Sequence, residues 1–152
     1  MSTVITRERP DTTDAIGLIA ELEAVLDPLY PSESRHGYSV EKLLAQGVAF
    51  FLIRADGAPA GCGGIQLVDG QYGEIKRMYV RRQFRGSGLA KLMLNHLADY
   101  AQDHDIRLLR LETGIYQQAA IGLYEAQGFR RIPPFGPYKD DPLSLCYEKR
   151  LT

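Results

Sequence analysis

A chain of 152 residues with 45% hydrophobic and 24% charged residues has the make-up of one globular domain, 1–152, and not of a disordered tract. Lys plus Arg number 18 against 19 Asp plus Glu, a net charge of -1, which excludes a general nucleic-acid-binding role. Two cysteines, Cys62 and Cys146, exclude a disulfide framework; with no Cys/His cluster around them, no metal site is expected. Met1 to Thr12 is polar and has no signal-peptide h-region. The apolar run Val48 to Ile53 is too short to span a membrane, so a soluble cytoplasmic protein without a membrane partner is expected.

Thr3 to Arg9 alternates and reads as a short first strand. Asp11 or Thr12 then caps a helix with Ile16, Ile19, Ala20, Leu22, Leu26 and Leu29 on its apolar side, ended by Pro28 and Pro31. Tyr30 to Tyr38 is a polar, aromatic loop, and Ser39 caps a short helix stopped by Gly47. Val48 to Ala55, Pro59 to Val68 and Gln71 to Val80 follow as strands, joined by the turn dipeptides Asp56-Gly57 and Asp69-Gly70. Gly61, Gly63 and Gly64 inside the middle strand predict a bulge or a close approach by another group. Leu89, Leu92, Met93, His96, Leu97 and Tyr100 then fall at helical spacing, and Arg107 to Thr113 alternates as a strand. Gln118 to Gln127 reads as a helix and Phe129 to Ile132 as a strand. A Pro/Gly-rich loop occupies Pro133 to Pro142, and Leu143 to Leu151 is the last strand.

These elements imply an α+β fold: a mixed, mostly antiparallel sheet of about seven strands with helices on both faces and a central β-α-β crossover. The crossover joins Gln71–Val80 to Arg107–Thr113. Between its first strand and its helix lies Val80 to Ala90, V-R-R-Q-F-R-G-S-G-L-A. Gly86 and Gly88 let the backbone turn sharply into a helix start whose free N–H groups suit a phosphate or pyrophosphate. A plain glycine-containing strand-to-helix turn has the same local form.

Gln83 to Ala90, Q-F-R-G-S-G-L-A, resembles the Q/R-x-x-G-x-G/A signature of the GCN5-related N-acetyltransferase (GNAT) superfamily. Ala120 to Phe129, A-I-G-L-Y-E-A-Q-G-F, is similar to that family's A-x-x-L-Y-x-x-x-G-F block. The resemblance covers the chain from Val48 onward and implies the GNAT fold, with acetyl-coenzyme A as acetyl donor. It also implies binding roles: amides around Arg85, Gly86, Ser87, Gly88, Leu89 and Ala90 would cradle the pyrophosphate. Arg81, Arg82 or Arg85 would add positive charge. The edge of Met78, Tyr79 and Val80 would pair with the pantetheine arm. Gln117 stands where many relatives have an Asn.

The same resemblance marks Glu74 as candidate base, acting through water, and Tyr124 as candidate acid at the coenzyme A sulfur, with a strand amide near Tyr79 polarising the thioester carbonyl. On its own residues, Glu74 reads equally as a carboxylate paired with Lys76, and Tyr124 as a core tyrosine. Arg35, His36 and Tyr38 cluster where the family binds its acceptor. Arg35 and His36 suit a carboxylate or phosphate, and the Pro134–Lys139 loop with Tyr138 suits the opposite wall. A small amino-acid-like amine is the expected acceptor. A peptide lysine or N-terminus, or a non-catalytic acyl-coenzyme A sensor, are the alternatives. Cys62, Cys146 and His96 read as packing residues and His104 as solvated, and the sheet edges leave room for a homodimer.

Overall fold

The computed structural model describes residues 1–35 and 38–152. Among them, seven strands and four α-helices follow in chain order. They are β1 (Thr3–Arg7), α1 (Thr13–Leu26), α2 (Val40–Ala45), β2 (Ala49–Ala55), β3 (Ala58–Val68), β4 (Tyr72–Val80), α3 (Leu89–Asp103), β5 (Leu108–Gly114), α4 (Gln118–Ala126), β6 (Arg130–Ile132) and β7 (Ser144–Arg150). Short 3-10 turns at Ser32–Ser34 and Arg82–Phe84 lie in stretches expected as loops. The strands form one sheet in the order β1-β2-β3-β4-β5-β7-β6. Every neighbouring pair is antiparallel except β4 and β5, which α3 joins in parallel.

The run Ala49 to Ile53 is apolar throughout because both of its faces are covered. Phe50 and Leu52 pack with Ala15, Leu18, Ile19 and Leu43 of α1 and α2. Ala49, Phe51 and Ile53 pack on the other side with Leu89, Met93 and Leu97 of α3. Each fully buried Phe, Leu or Ile is worth about 1.5–3 kcal/mol of transfer free energy, so this strand anchors both layers.

Thr12 is the cap of α1, its Oγ1 accepting from Ala15 N at 3.3 Å. The buried stripe is Ala15, Leu18, Ile19 and Leu22. Ile16, Ala20 and Leu29 are exposed, against the expected apolar side. The stripe begins one residue earlier than the sequence suggests, and Leu29 lies past the helix end. Along α3 Leu89, Met93 and Leu97 are buried as expected, but Leu92 is exposed and Leu94 is buried in its place.

The predicted irregularity lies across β3 and β4. Tyr79 pairs with Cys62, but Lys76 pairs with Gly64, so Arg77 and Met78 together oppose Gly63. Arg77 takes the left-handed conformation, φ 55°, as the first residue of a G1-type bulge does. Gly63 has to be small: a Cβ there would lie 2.8 Å from Met78 Sδ and 2.9 Å from Met93 Cγ. Cys62 and Cys146 are buried and unbridged, as packing residues should be. Among the described residues no helix is long and apolar enough to cross a membrane.

Candidate active site

β4 and β5 are paired only at Gly73–Leu109 and Glu74–Arg110, and beyond those pairs they part. The rest of β5 stays with β7, up to Gly114–Ser144. Parallel strands that part at their carboxyl ends leave a crevice, and a cavity of about 150 Å³ fills it. Met78 of β4, Glu112 of β5, Tyr124 of α4 and Glu23 of α1 reach its wall, together with Arg35, Tyr38 and Tyr138 from the loops.

The glycine turn stands at the end of β4. Gly86 and Gly88 have φ of 86° and 80°, and a Cβ on either would touch nothing within 4 Å, so it is the backbone conformation that favours glycine there. Gly88 is the N-cap residue of α3, and no side chain caps the helix. The first amides of α3, from Leu89 and Ala90, therefore face outward at the positive end of a helix dipole. The Ser87 hydroxyl donates to Phe84 O at 3.0 Å, which holds the turn and leaves the amides to a ligand. This shape suits a phosphate group.

The expected cations sort differently from one another. Arg81 is tied to Glu21, Nη2 to Oε2 at 2.6 Å, and this partner holds the Glu21 carboxyl below its usual range. Arg85 is exposed, and its Nε donates to Val80 O at 3.0 Å. Arg82 is exposed beside it. Tyr79 donates its hydroxyl to Glu21 at 3.1 Å, so its side chain locks to α1 while its backbone remains part of the β4 edge.

Glu74 is 3% exposed and does not reach the cavity wall. Lys76 and Tyr138 stand in front of it: Lys76 Nζ lies 2.8 Å from Glu74 Oε2, and the Tyr138 hydroxyl donates to the same oxygen at 2.5 Å. A carboxylate so engaged holds Lys76 and Tyr138 in place. Lys76 also sits 3.8 Å from the centre of the Tyr38 ring. Burial, then the charge of Glu74, push the Tyr138 hydroxyl well above the ordinary tyrosine range.

Tyr124 is 6% exposed, and burial alone raises its hydroxyl well above the usual value. It packs edge-on against Phe129, ring centres 5.6 Å apart. Gln117 also lines the cavity, where the Tyr30 hydroxyl donates to its Oε1 at 3.0 Å and accepts from Tyr116 N at 2.9 Å. Arg35 lines the cavity but is ion-paired to Glu23 and Asp27. His36 lies outside the described residues. His96 packs against Phe51, ring centres 4.6 Å apart, and His104 Nδ1 lies 2.8 Å from Tyr100 O at the exposed end of α3.

Both carboxylates that line the cavity escaped the sequence reading. Glu112 lines the cavity and accepts from Ser144 Oγ at 2.6 Å; its signal was a carboxylate in the alternating strand R-L-E-T, ahead of the L-Y block. Glu23 is the second, a carboxylate within a helix that offered no motif.

The family description Acetyltransferase (GNAT) family matches residues 19–129. The chain is 42% identical over 148 residues to the IAA acetyltransferase of Azospirillum brasilense, covering 97% of each protein. A crystal structure from Klebsiella pneumoniae assigned to the acyl-CoA N-acyltransferases is 38% identical, with a TM-score of 0.84 over 99% of this chain and 98% of that one. The PaiA N-acetyltransferase of Thermoplasma acidophilum, in complex with coenzyme A, shares the fold at a TM-score of 0.78 and 20% identity, over 99% of both chains.

Proposed function

The chain belongs to the GNAT family of acetyl-coenzyme A-dependent N-acetyltransferases, and on that premise we propose that it carries an acetyl group directly to the primary amine of a small, amino-acid-like molecule. The observation that carries the acceptor class is the cavity: about 150 Å³, walled by Arg35 and Tyr138 together, with cations and carboxylates on its sides. A space of that size suits a small zwitterion better than a peptide chain.

The turn fits the donor's phosphates, because its left-handed glycines and uncapped helix start form a cradle. Gly86, Ser87, Gly88, Leu89 and Ala90 would hold the pyrophosphate with their amides, and Arg85 would add charge. The splayed edge of Met78, Tyr79 and Val80 would take the pantetheine arm by backbone hydrogen bonds. When bound, acetyl-coenzyme A supplies an acetyl thioester activated toward amines. An amide near Tyr79 would then stabilise negative charge on the carbonyl oxygen.

Tyr124 holds its proton on Oη throughout the neutral range, since burial disfavours the phenolate. As donor of that proton to a departing thiolate it would need the raised value brought back down by the bound cofactor. Glu74, behind Lys76 and Tyr138, would set their positions, and its expected role as base through water requires one of them to give way. Arg35 and Tyr38 would meet the acceptor's anionic end, Arg35 by leaving Asp27, whose side chain is 71% exposed.

An acceptor screen tests this reading. Free thiol release from acetyl-coenzyme A is followed with amino acids, polyamines, aminoglycosides and peptides side by side. Release with amino acids or close analogues, reduced in Tyr124→Phe by about ten- to a hundred-fold in kcat, is the expected result. Release with peptides alone would move the acceptor class to proteins. Tight coenzyme A binding with no release for any acceptor would leave a sensor.

A further inference from the structure

Arg77 has no place in the chemistry described above, yet few residues in the chain are held in so demanding a way. Its backbone is left-handed, φ 55°, inside a strand, and its side chain is 5% exposed. Glycine or asparagine would adopt that conformation with less strain. What an arginine adds is reach. Its guanidinium is ion-paired to Glu23 of α1, and its Nε donates to Tyr38 O at 3.0 Å. The Cys62 thiol donates to its carbonyl at 3.3 Å, fixing the bulge from the β3 side.

The bulge decides which way the following backbone groups face. One extra residue on β4 reverses the alternation of N–H and C=O beyond it. Met78 completes it, and Tyr79 and Val80 lie beyond it, where β4 has left β5. Glu23 also binds Arg35, so one carboxylate joins the acceptor side of the cavity to the strand edge.

We propose that Arg77 is a positioning residue for the donor: clasped by Glu23 and the Tyr38 carbonyl, it holds the β4 bulge and so aims the Met78–Val80 edge at the pantetheine arm. The proposal rests on the acetyl-coenzyme A reading. It separates the donor's two halves, because the phosphate cradle at Gly86–Ala90 is built by a different turn and does not depend on the clasp.

Calorimetry with two ligands tests it: coenzyme A, and 3′-phosphoadenosine 5′-diphosphate, its nucleotide half without the arm. Arg77→Ala, Arg77→Gly and Glu23→Gln are expected to raise the Kd for coenzyme A about ten-fold while leaving that for the nucleotide half within about two-fold. Arg77→Lys is expected to restore part of the loss. Glu23→Gln keeps the side chain's shape on a helix surface, so it reads the clasp even where an Arg77 variant folds poorly. Wild-type affinity for coenzyme A in Arg77→Gly would overturn the proposal, because the guanidinium would then be dispensable. Parallel weakening of both ligands in Glu23→Gln would overturn it too, as a loss of structure at large. Wild-type protein that binds neither ligand would refute the acetyl-coenzyme A reading and the proposal with it.

Discussion

Lys76→Met should destabilise the protein strongly. Lys76 and Glu74 have side-chain exposures of 6% and 4%, and their charged atoms lie 2.8 Å apart. Removing one member of a buried ion pair leaves a charge without its counter-ion and costs about 3–5 kcal/mol. The hydrogen bond from Tyr138 to Glu74 survives the change and softens it, which points to the lower end. In a chain of 152 residues each kcal/mol moves the midpoint by about 2–4 °C. The expected fall in Tm is therefore about 6–12 °C, read by circular dichroism at neutral pH with reversibility checked on cooling. Glu74→Gln combined with Lys76→Met removes both charges and should recover at least half of that fall, since a buried pair replaced by neutral groups is often tolerated. A Lys76→Met midpoint within about 2 °C of wild type would refute the reasoning, because the pair would then be exchanging with solvent. A double variant worse than Lys76→Met would refute it as well.

Gly88→Ala should lower Tm by about 2–8 °C through its φ alone, at about 1–2 kcal/mol for a left-handed alanine, and should weaken coenzyme A binding measured by calorimetry; an unchanged affinity would remove the cradle argument. Gly114→Ala should be worse, because its Cβ would fall 2.1 Å from the Tyr30 hydroxyl oxygen, and adding Tyr30→Ala should recover part of the lost Tm. Alkaline pH should unfold the protein early. Burial pushes the Cys62 thiol from 9.0 up to about 12 and holds the Tyr124 and Tyr138 hydroxyls above 10.0. The unfolded chain gives up these protons first, so stability is full below about pH 9 and falls as pH rises through the folded values. Urea midpoints taken at about pH 8 and pH 10.5 should show the fall, and equal midpoints would contradict it.

The residues that were legible in the sequence are those whose role is set by local backbone chemistry. Gly86 and Gly88 announce themselves because a sharp turn into a helix favours residues without a Cβ, and the helix that carries Tyr124 because Gly128, at φ 91°, ends it; the role of Tyr124 itself came only from the family resemblance. The strands were legible for a similar reason: alternation, Asp56-Gly57 and Asp69-Gly70 are signals within a few residues of one another. Glu112 lines the cavity and Glu74 does not, because accessibility is not local. Both are carboxylates in strands of like pattern, but Tyr138, 64 residues away in sequence, covers one, while the parting of β4 from β5 opens a cavity beside the other. Arg77 was hidden for a third reason. Three glycines on β3 signalled that something irregular would happen, yet a bulge is a property of two strands in register, and it was the partner strand that carried the extra residue. The register also explains why an arginine can stand there. Gly63 leaves space for Met78, Arg77 turns left-handed between the paired positions on either side, and Glu23 and Tyr38 supply the contacts that offset its strain.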